Sequence, residues 1–345
     1  MSQDRPLLLI FGGGDEADQI RRSGERITIA GSADLGKLLT NRDLIHRLLI
    51  TRSHRPQRAE LSGYPVVVNM ITEAETSARI LGDLKDLLSG FAGRIINPPD
   101  AVLGSTRDQV ARLLTGIPGL VVPKIVRLSG GDAPLAARMI ESAGIVPPII
   151  VRQVGTHTGR TVGLHGSIDE AAAVLQGGHE YFATQFVDFA SPDGLYRKYR
   201  VYFIGPHIVL RHMYVSDDWN VHSKDRARFM GPRPDIVAEE RALIQSAEPF
   251  GPDVRTVFRS VRDRMPVDFF GMDFGILQDG NVVLFEANAT MSFFPLWRDD
   301  DPQFAYLERC VAPARAAFME LLGLSQPEPE TALSGPESGP QARAG

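Results

Sequence analysis

Val267-Asp268-Phe269-Phe270-Gly271-Met272-Asp273-Phe274-Gly275-Ile276-Leu277 runs into Gln278-Asp279-Gly280-Asn281 and then Val282-Val283-Leu284-Phe285-Glu286-Ala287-Asn288. An Asp-Gly pair between two apolar runs is a strong short-range hairpin signal and favours a two-residue turn. With Asp279-Gly280 at that turn, Gln278 faces Asn281, Leu277 faces Val282, and counting back sets Asp273 opposite Glu286. Directly opposed residues share a sheet face with Cβ atoms about 4.5–5.5 Å apart. Asn288 follows Glu286 by two positions on the same face, opposite Gly271, which leaves room beside it. A surface hairpin with solvated acids, or a pair sharing one proton, leaves unexplained why two opposed carboxylates sit among Phe, Val, Leu and Met. A hard divalent cation explains them, because Mg²⁺ takes oxygen ligands from a few carboxylates together with substrate phosphates. Asp273, Glu286 and Asn288 are therefore the expected metal ligands, with Mg²⁺ or Mn²⁺ as the ion.

Outward from the hairpin, the chain has the composition of a globular protein. It has 345 residues, 43% of them hydrophobic, and 37 basic against 42 acidic side chains give a formal net charge of −5. That length suggests two domains, or one with an extended lobe. With no basic run on an acidic chain, nucleic acid is not an expected partner. The single cysteine, Cys310, excludes an intrachain disulfide framework and fits a reducing compartment; its apolar neighbours suit an inert packed thiol. The start is too short in apolar residues for a signal peptide, and nowhere is there an apolar run of the ~20 residues a spanning helix needs. The expectation is a cytoplasmic protein with no membrane partner.

Pro6 to Phe11, Ile27 to Ala30 and Val66 to Ile71 read as strands, with helical spacing over Leu35 to Leu49 and Glu73 to Leu88. Strands alternating with helices predict a parallel α/β domain over residues 1–96. Gly12-Gly13-Gly14 is a turn without Gly-x-Gly-x-x-Gly spacing, and Asp15 and Glu16 suit a helix start. Beyond Asn97-Pro98-Pro99-Asp100, helices are expected at Arg107 to Leu114, Ala133 to Ala143 and Ile168 to Leu175. Strands are expected near Val121 to Leu128 and at Ile149 to Val154, Thr161 to Leu164 and Tyr181 to Val187. Leu195 to Met213 is strand-like around Gly205-Pro206, and Ile236 to Arg264 holds two helices. Gln303 to Leu322 reads as one amphipathic helix, and the Pro-, Glu- and Ser-rich residues 326–345 as a disordered tail.

The hairpin and the order of motifs before it resemble the ATP-grasp superfamily, in particular its glutathione-synthetase-like and ribosomal-S6-modification-ligase-like branches. There, an acid on one strand and Glu-x-Asn on the next hold magnesium against nucleotide phosphates; Asp273 and Glu286-Ala287-Asn288 match that pattern. Ile150-Val151-Arg152 and the Gly155-Thr156-His157-Thr158-Gly159 loop resemble the strand and loop that cover the phosphates, with His157 a candidate phosphate donor. Gln185, Phe186 and Val187 resemble the hinge that meets adenine through backbone groups. Tyr199 to Gly205 resembles the strand whose arginine, here Arg200, reaches the transferred phosphate or the substrate carboxylate. Arg107 stands at the spacing of the first nucleotide lysine, and both usual lysine positions are arginine here, at 107 and 152. Arginine keeps the charge and can hold phosphate bidentately. Lys198 departs from the aspartate that often precedes the strand arginine.

The resemblance covers roughly Asn97 to Leu322. It implies an α/β fold with a parallel N-terminal domain (1–96), a small lobe (97–184) and a large lobe (185–325), and a nucleotide held between two sheets. It implies Mg-ATP as cofactor, with Arg107, Arg152, His157, Gln185, Phe186 and Val187 binding nucleotide. Arg200 and Arg211 would steady the migrating group. The implied activity is a carboxylate–amine ligase joining a small-molecule or peptide carboxylate to an amine acceptor. A small-molecule kinase of the same fold, or a non-catalytic nucleotide-binding module, are the alternatives.

Overall fold

The computed structural model describes residues 6–15, 20–23, 26–29, 32–39, 45–51, 61–156, 161–296 and 301–324. His157, Glu16 and the expected tail lie outside them.

The first strand, β1 (Leu7–Gly12), is apolar on both faces and lies inside a sheet. Two further strands form a separate antiparallel hairpin, β2 (Ile20–Ser23) and β3 (Arg26–Ile29). With β4 (Ile45–Ile50), β5 (Val66–Asn69) and β6 (Arg94–Ile96), β1 builds a parallel sheet in the order β4-β1-β5-β6. Alternation sends Leu8 and Ile10 toward helix α1 (Ala78–Leu87), and Leu7 and Leu9 into the core shared with the C-terminal half. A parallel sheet buried on both faces needs such continuous apolar strands. Two expectations are corrected here. Of the strand expected at Ile27 to Ala30, the described residues 27–29 fall in the hairpin rather than the parallel sheet, and Leu35 to Leu49 is not one helix. It is a 3₁₀ turn (Leu35–Leu38) and the strand β4. The Leu35, Leu38 and Leu39 spacing fills one helical turn, but Ile45 to Ile50 pairs along β1.

After the short helix α2 (Pro99–Leu103) comes α3 (Arg107–Leu114), then β7 (Leu120–Val121), which joins the large sheet beside its last strand. The small lobe is an antiparallel sheet, β10-β9-β11-β8, with β8 (Ile125–Ser129), β9 (Ile149–Gln153), β10 (Thr161–His165) and β11 (Glu180–Gln185). It packs on α4 (Ala133–Ser142) and α5 (Ile168–Ala173) through Leu128, Ile140, Ile149 and Val151. The large lobe follows: β12 (Tyr196–Ile204), β13 (His207–Ser216), α6 (Pro234–Gln245), α7 (Pro252–Arg264), β14 (Phe269–Ile276) and β15 (Val282–Asn288). Its sheet runs β13-β12-β14-β15-β7. The expected C-terminal helix divides into a 3₁₀ segment (Pro302–Cys310) and α8 (Val311–Leu322). Pro313 has no N–H to donate and is tolerated only in a first turn, which places the α-helical start at Val311. No described helix is long and apolar enough to cross a membrane.

One residue clasps the N-terminal sheet to the large lobe. Asn97 is fully buried, with φ 52°. Its Oδ1 accepts from the Asp268 and Phe269 amides at 2.6 and 3.1 Å, and its Nδ2 donates to Phe269 O at 3.1 Å. Its carbonyl accepts from Asn69 Nδ2 at 3.0 Å, so β5 and β14 are tied through a single side chain and backbone unit. Asn97→Ala leaves three buried backbone groups without partners and should cost on the order of 2–4 kcal/mol, read by denaturant unfolding.

Candidate functional site

The hairpin sets Asp273 opposite Glu286 and Gly271 opposite Asn288, as the sequence predicts, but by a different route. Leu277 O accepts from Gly280 N at 2.9 Å, and Leu277 N donates to Asn281 O at 2.8 Å. Gly280 takes φ 86°, so the loop is longer than a two-residue turn. Ile276 therefore pairs with Val282, one step off the predicted register. A bulge at Phe285 inserts one residue between the Phe274–Leu284 and Asp273–Glu286 pairs and restores it.

Asp273 is buried, Glu286 is half-buried, and both are held by cations. Asp273 is 4% exposed; Arg200 donates Nε to Oδ1 at 2.6 Å and Nη2 to Oδ2 at 2.8 Å, and Lys198 Nζ lies 3.6 Å from Oδ2. Burial favours the protonated acid, but Arg200 and then Lys198 outweigh it and hold the Asp273 pKa below the ordinary aspartate value. Arg107 places Nη2 2.8 Å from Glu286 Oε2 and donates Nη1 to Phe285 O at 2.8 Å. Burial raises the Glu286 pKa, while Arg107 and Arg152 lower it more than Asp273 raises it, and the net shift is downward. Arg152 has no ion pair among the described residues; burial and then repulsion from Arg107 push its pKa down to about 10, so it is still charged near neutrality. Four cations thus lie about these two carboxylates.

An open cleft of about 510 Å³ touches strands of both sheets and the N-terminal domain; Arg107, Arg152, Phe182, Glu286, Asn288 and Glu75 line it. Asp273 stands one strand further in, behind its pairing with Arg200, and does not line the cleft. Gln185, Phe186 and Val187 sit at the lobe junction and line neither this cleft nor the smaller one beside Ile125, Thr184 and Leu284. The Gln185 and Phe186 amides already donate to Lys124 O and Pro148 O, both at 2.8 Å.

Two expected residues are placed differently. Asn288 is on the right face, but its Oδ1 accepts from the Thr290 and Met291 amides at 3.0 and 2.9 Å while its Nδ2 donates to Glu286 Oε1 at 2.7 Å. Arg211 occupies a bulge on β13, because the register passes from Arg200–His212 to Val201–Leu210. That extra residue turns Arg211 into the segment after β15, where Nε donates to Phe293 O at 2.7 Å and Nη2 to Pro295 O at 2.6 Å. His212, not Arg211, stands opposite Arg200. Sequence reasoning also passed over Arg127. This residue bridges Glu75 at 2.7 Å and Asp108 at 3.1 Å, tying the small lobe to the N-terminal domain at the cleft's edge. The only signal for it was a lone arginine in an otherwise apolar strand.

No family model matches the chain, and no curated protein matches it in sequence. Among solved structures, it is similar to the ATP-grasp ligase PsnB complexed with a precursor peptide and AMPPNP. The TM-score is 0.51 at 12% identity, over 93% of this chain and 99% of that one. It is also similar to a RimK domain ATP-grasp protein from Sphaerobacter thermophilus, at 15% identity over 91% of this chain and 98% of that one, with TM-score 0.49. The likeness to PsnB is one of fold.

Because the Asp273 and Glu286 pKa values are depressed in the folded state, their stabilising contribution is complete above the unfolded carboxylate range. It is lost as pH falls through the folded values. Arg200→Met removes the charge that opposes burial at Asp273, so acid unfolding of the variant should begin at higher pH than in the native protein. Melting temperatures measured from about pH 3 to about pH 7 will show it.

Proposed function

Taking the ATP-grasp fold as the premise, we propose that the protein is an ATP-dependent ligase joining a carboxylate to an amine. The observation that carries the reading is the opposed pair Asp273 and Glu286 on adjacent strands, each ion-paired with an arginine, with Glu286 lining the cleft alongside Arg107 and Arg152.

The donor set suits a hard divalent cation. Each carboxylate oxygen has two lone pairs, and Arg200, Arg107 and Asn288 occupy one on each of the four oxygens at distances of 2.6–2.8 Å. Among the described residues no third acid, histidine or cysteine joins them. Such sparse protein ligation is typical of Mg²⁺, which keeps positions for water and phosphate oxygens. Asp273 and Glu286 would hold the ion. Asn288, with its amide oxygen on two backbone amides, would fix the Glu286 side chain instead. When bound, Mg²⁺ (or Mn²⁺) neutralises phosphate charge.

The chain's own residues supply positioning and electrostatics, on which phosphoryl transfer chiefly depends. Arg152, which has no ion pair among the described residues, receives phosphate oxygens from the small-lobe side, and Arg107 lines the same cleft. A substrate carboxylate oxygen attacks the terminal phosphorus, the bond to the bridging oxygen breaks, and ADP leaves. The amine then attacks the acyl carbon, the acyl C–O bond to phosphate breaks, and the amine's proton is lost as the amide forms. Arg200 would steady the charge on the migrating group. No protein nucleophile takes part.

Mg-ATP offered with pooled amino acids, small peptides and dicarboxylates should release ADP and yield a product lighter than its two substrates by one water, read by mass. A product carrying an added phosphate would instead establish a kinase. Glu286→Gln in a folded protein should lower turnover roughly a hundredfold or more; near-native ADP release would sink the assignment of that carboxylate.

A further inference from the structure

Four ionisable residues stand in one row across the large sheet. His212, Arg200, Asp273 and Glu286 lie on β13, β12, β14 and β15, each the direct partner of the next. Arg200, Asp273 and Glu286 all have charged partners. His212 is 2% exposed, and among the described residues neither of its ring nitrogens has a hydrogen-bond partner. Buried polar groups are ordinarily paired, so an unpaired one calls for a cause.

The ring is held firmly. It stacks on Tyr214 with centroids 3.9 Å apart and planes 24° off parallel. The Arg226 guanidinium covers Tyr214 at 4.9 Å and is locked to Glu240 by two bonds of 2.8 Å. Burial, followed by Arg200, Arg211, Arg226 and Lys198, keeps the His212 pKa well below the ordinary histidine value, so the ring is neutral. A neutral imidazole has one nitrogen that accepts and one that donates. The acceptor is therefore fixed in place, next to Arg200, and unused.

Arg200 commits Nε and Nη2 to Asp273, and its Nη1 reaches Ser292 O only at 3.5 Å. While that clasp holds, Asp273 does not line the cleft. The clasp also holds Asp273 away from the cleft, so turning its remaining lone pairs toward a cation there loosens the clasp and leaves a half-buried guanidinium short of acceptors. We propose that His212 is a positioning residue that receives Arg200 when Asp273 turns to its cation. The inference rests on the Mg-ATP reading above. The unused acceptor of the resting state becomes the acceptor of the loaded one, and Arg200 stays in the row with its charge directed at the cleft.

The test uses the full chain and two variants. His212→Phe keeps a flat ring but removes both nitrogens, and His212→Asn restores an acceptor. For His212→Phe without ligand, the melting temperature should equal or exceed the native value, because an unpaired buried polar group is gone. Its affinity for magnesium with a non-hydrolysable ATP analogue, measured by calorimetry, should fall at least tenfold, while the analogue alone binds as to native protein. His212→Asn should recover most of that loss. Native-like magnesium–nucleotide binding by His212→Phe overturns the proposal. So does a melting temperature that falls in both variants with binding falling in step, since that is a packing role. If native protein shows no magnesium-dependent nucleotide binding, the ligase reading itself fails and takes this proposal with it, and that control separates the two failures.

Discussion

Two carboxylates on adjacent strands of a buried sheet repel each other, and burial penalises each of them further. Asp273 and Glu286 are held in that position, and much of the surrounding structure answers to it. Arg200 and Lys198 approach Asp273 from β12, and Arg107 approaches Glu286 from α3. These cations come from distant parts of the chain, so the charge cluster forms only when the N-terminal half has packed against the large sheet. Removing one partner leaves a buried charge uncompensated, which costs far more than an exposed ion pair contributes.

The backbone is adapted to the same row. Bulges at Arg211 on β13 and at Phe285 on β15 lie at the level of the regular Arg200–Asp273 pair, one on either side of it. A bulge re-aims side chains and strengthens local twist. Here one turns Arg211 toward the Phe293 and Pro295 carbonyls and brings His212 into the row, while the other brings Glu286 level with Asp273. Asp34, from the N-terminal domain, then accepts from the Phe293 and Phe294 amides at 2.9 and 2.8 Å, fixing the segment that Arg211 grips.

The elements that sequence reading placed well are those with strong local periodicity, such as α3, α4, β9 and the β14–β15 pair. The facing of Asp273 and Glu286 was also correct, although two errors cancelled to make it so. The turn is longer than Asp-Gly alone implies, and the bulge at Phe285 takes the difference back. Neither bulge has a residue signature, because an extra residue in an apolar strand looks like any other member of the run. Arg211 and His212 are neighbours in sequence, and which of them faces Arg200 depends on a register that only three-dimensional pairing decides. The Asn97 clasp and the Arg127–Glu75 bridge were out of reach for a related reason, since their partners lie far away in sequence.

Arginine at position 107 supplies more than charge. A lysine ammonium is a point charge, whereas the planar guanidinium presents several donors in a fixed fork. Arg107 uses two of them at once, one on the Glu286 carboxylate and one on the carbonyl of Phe285, each at 2.8 Å. Phe285 is the inserted residue of the β15 bulge, so the side chain that neutralises Glu286 also pins the backbone irregularity that brings Glu286 into place. A lysine could serve the carboxylate but would leave the bulge carbonyl without that donor. Because Arg107 is occupied in this way, the positive charge left over for a polyanionic ligand falls chiefly on Arg152, which has no ion pair among the described residues.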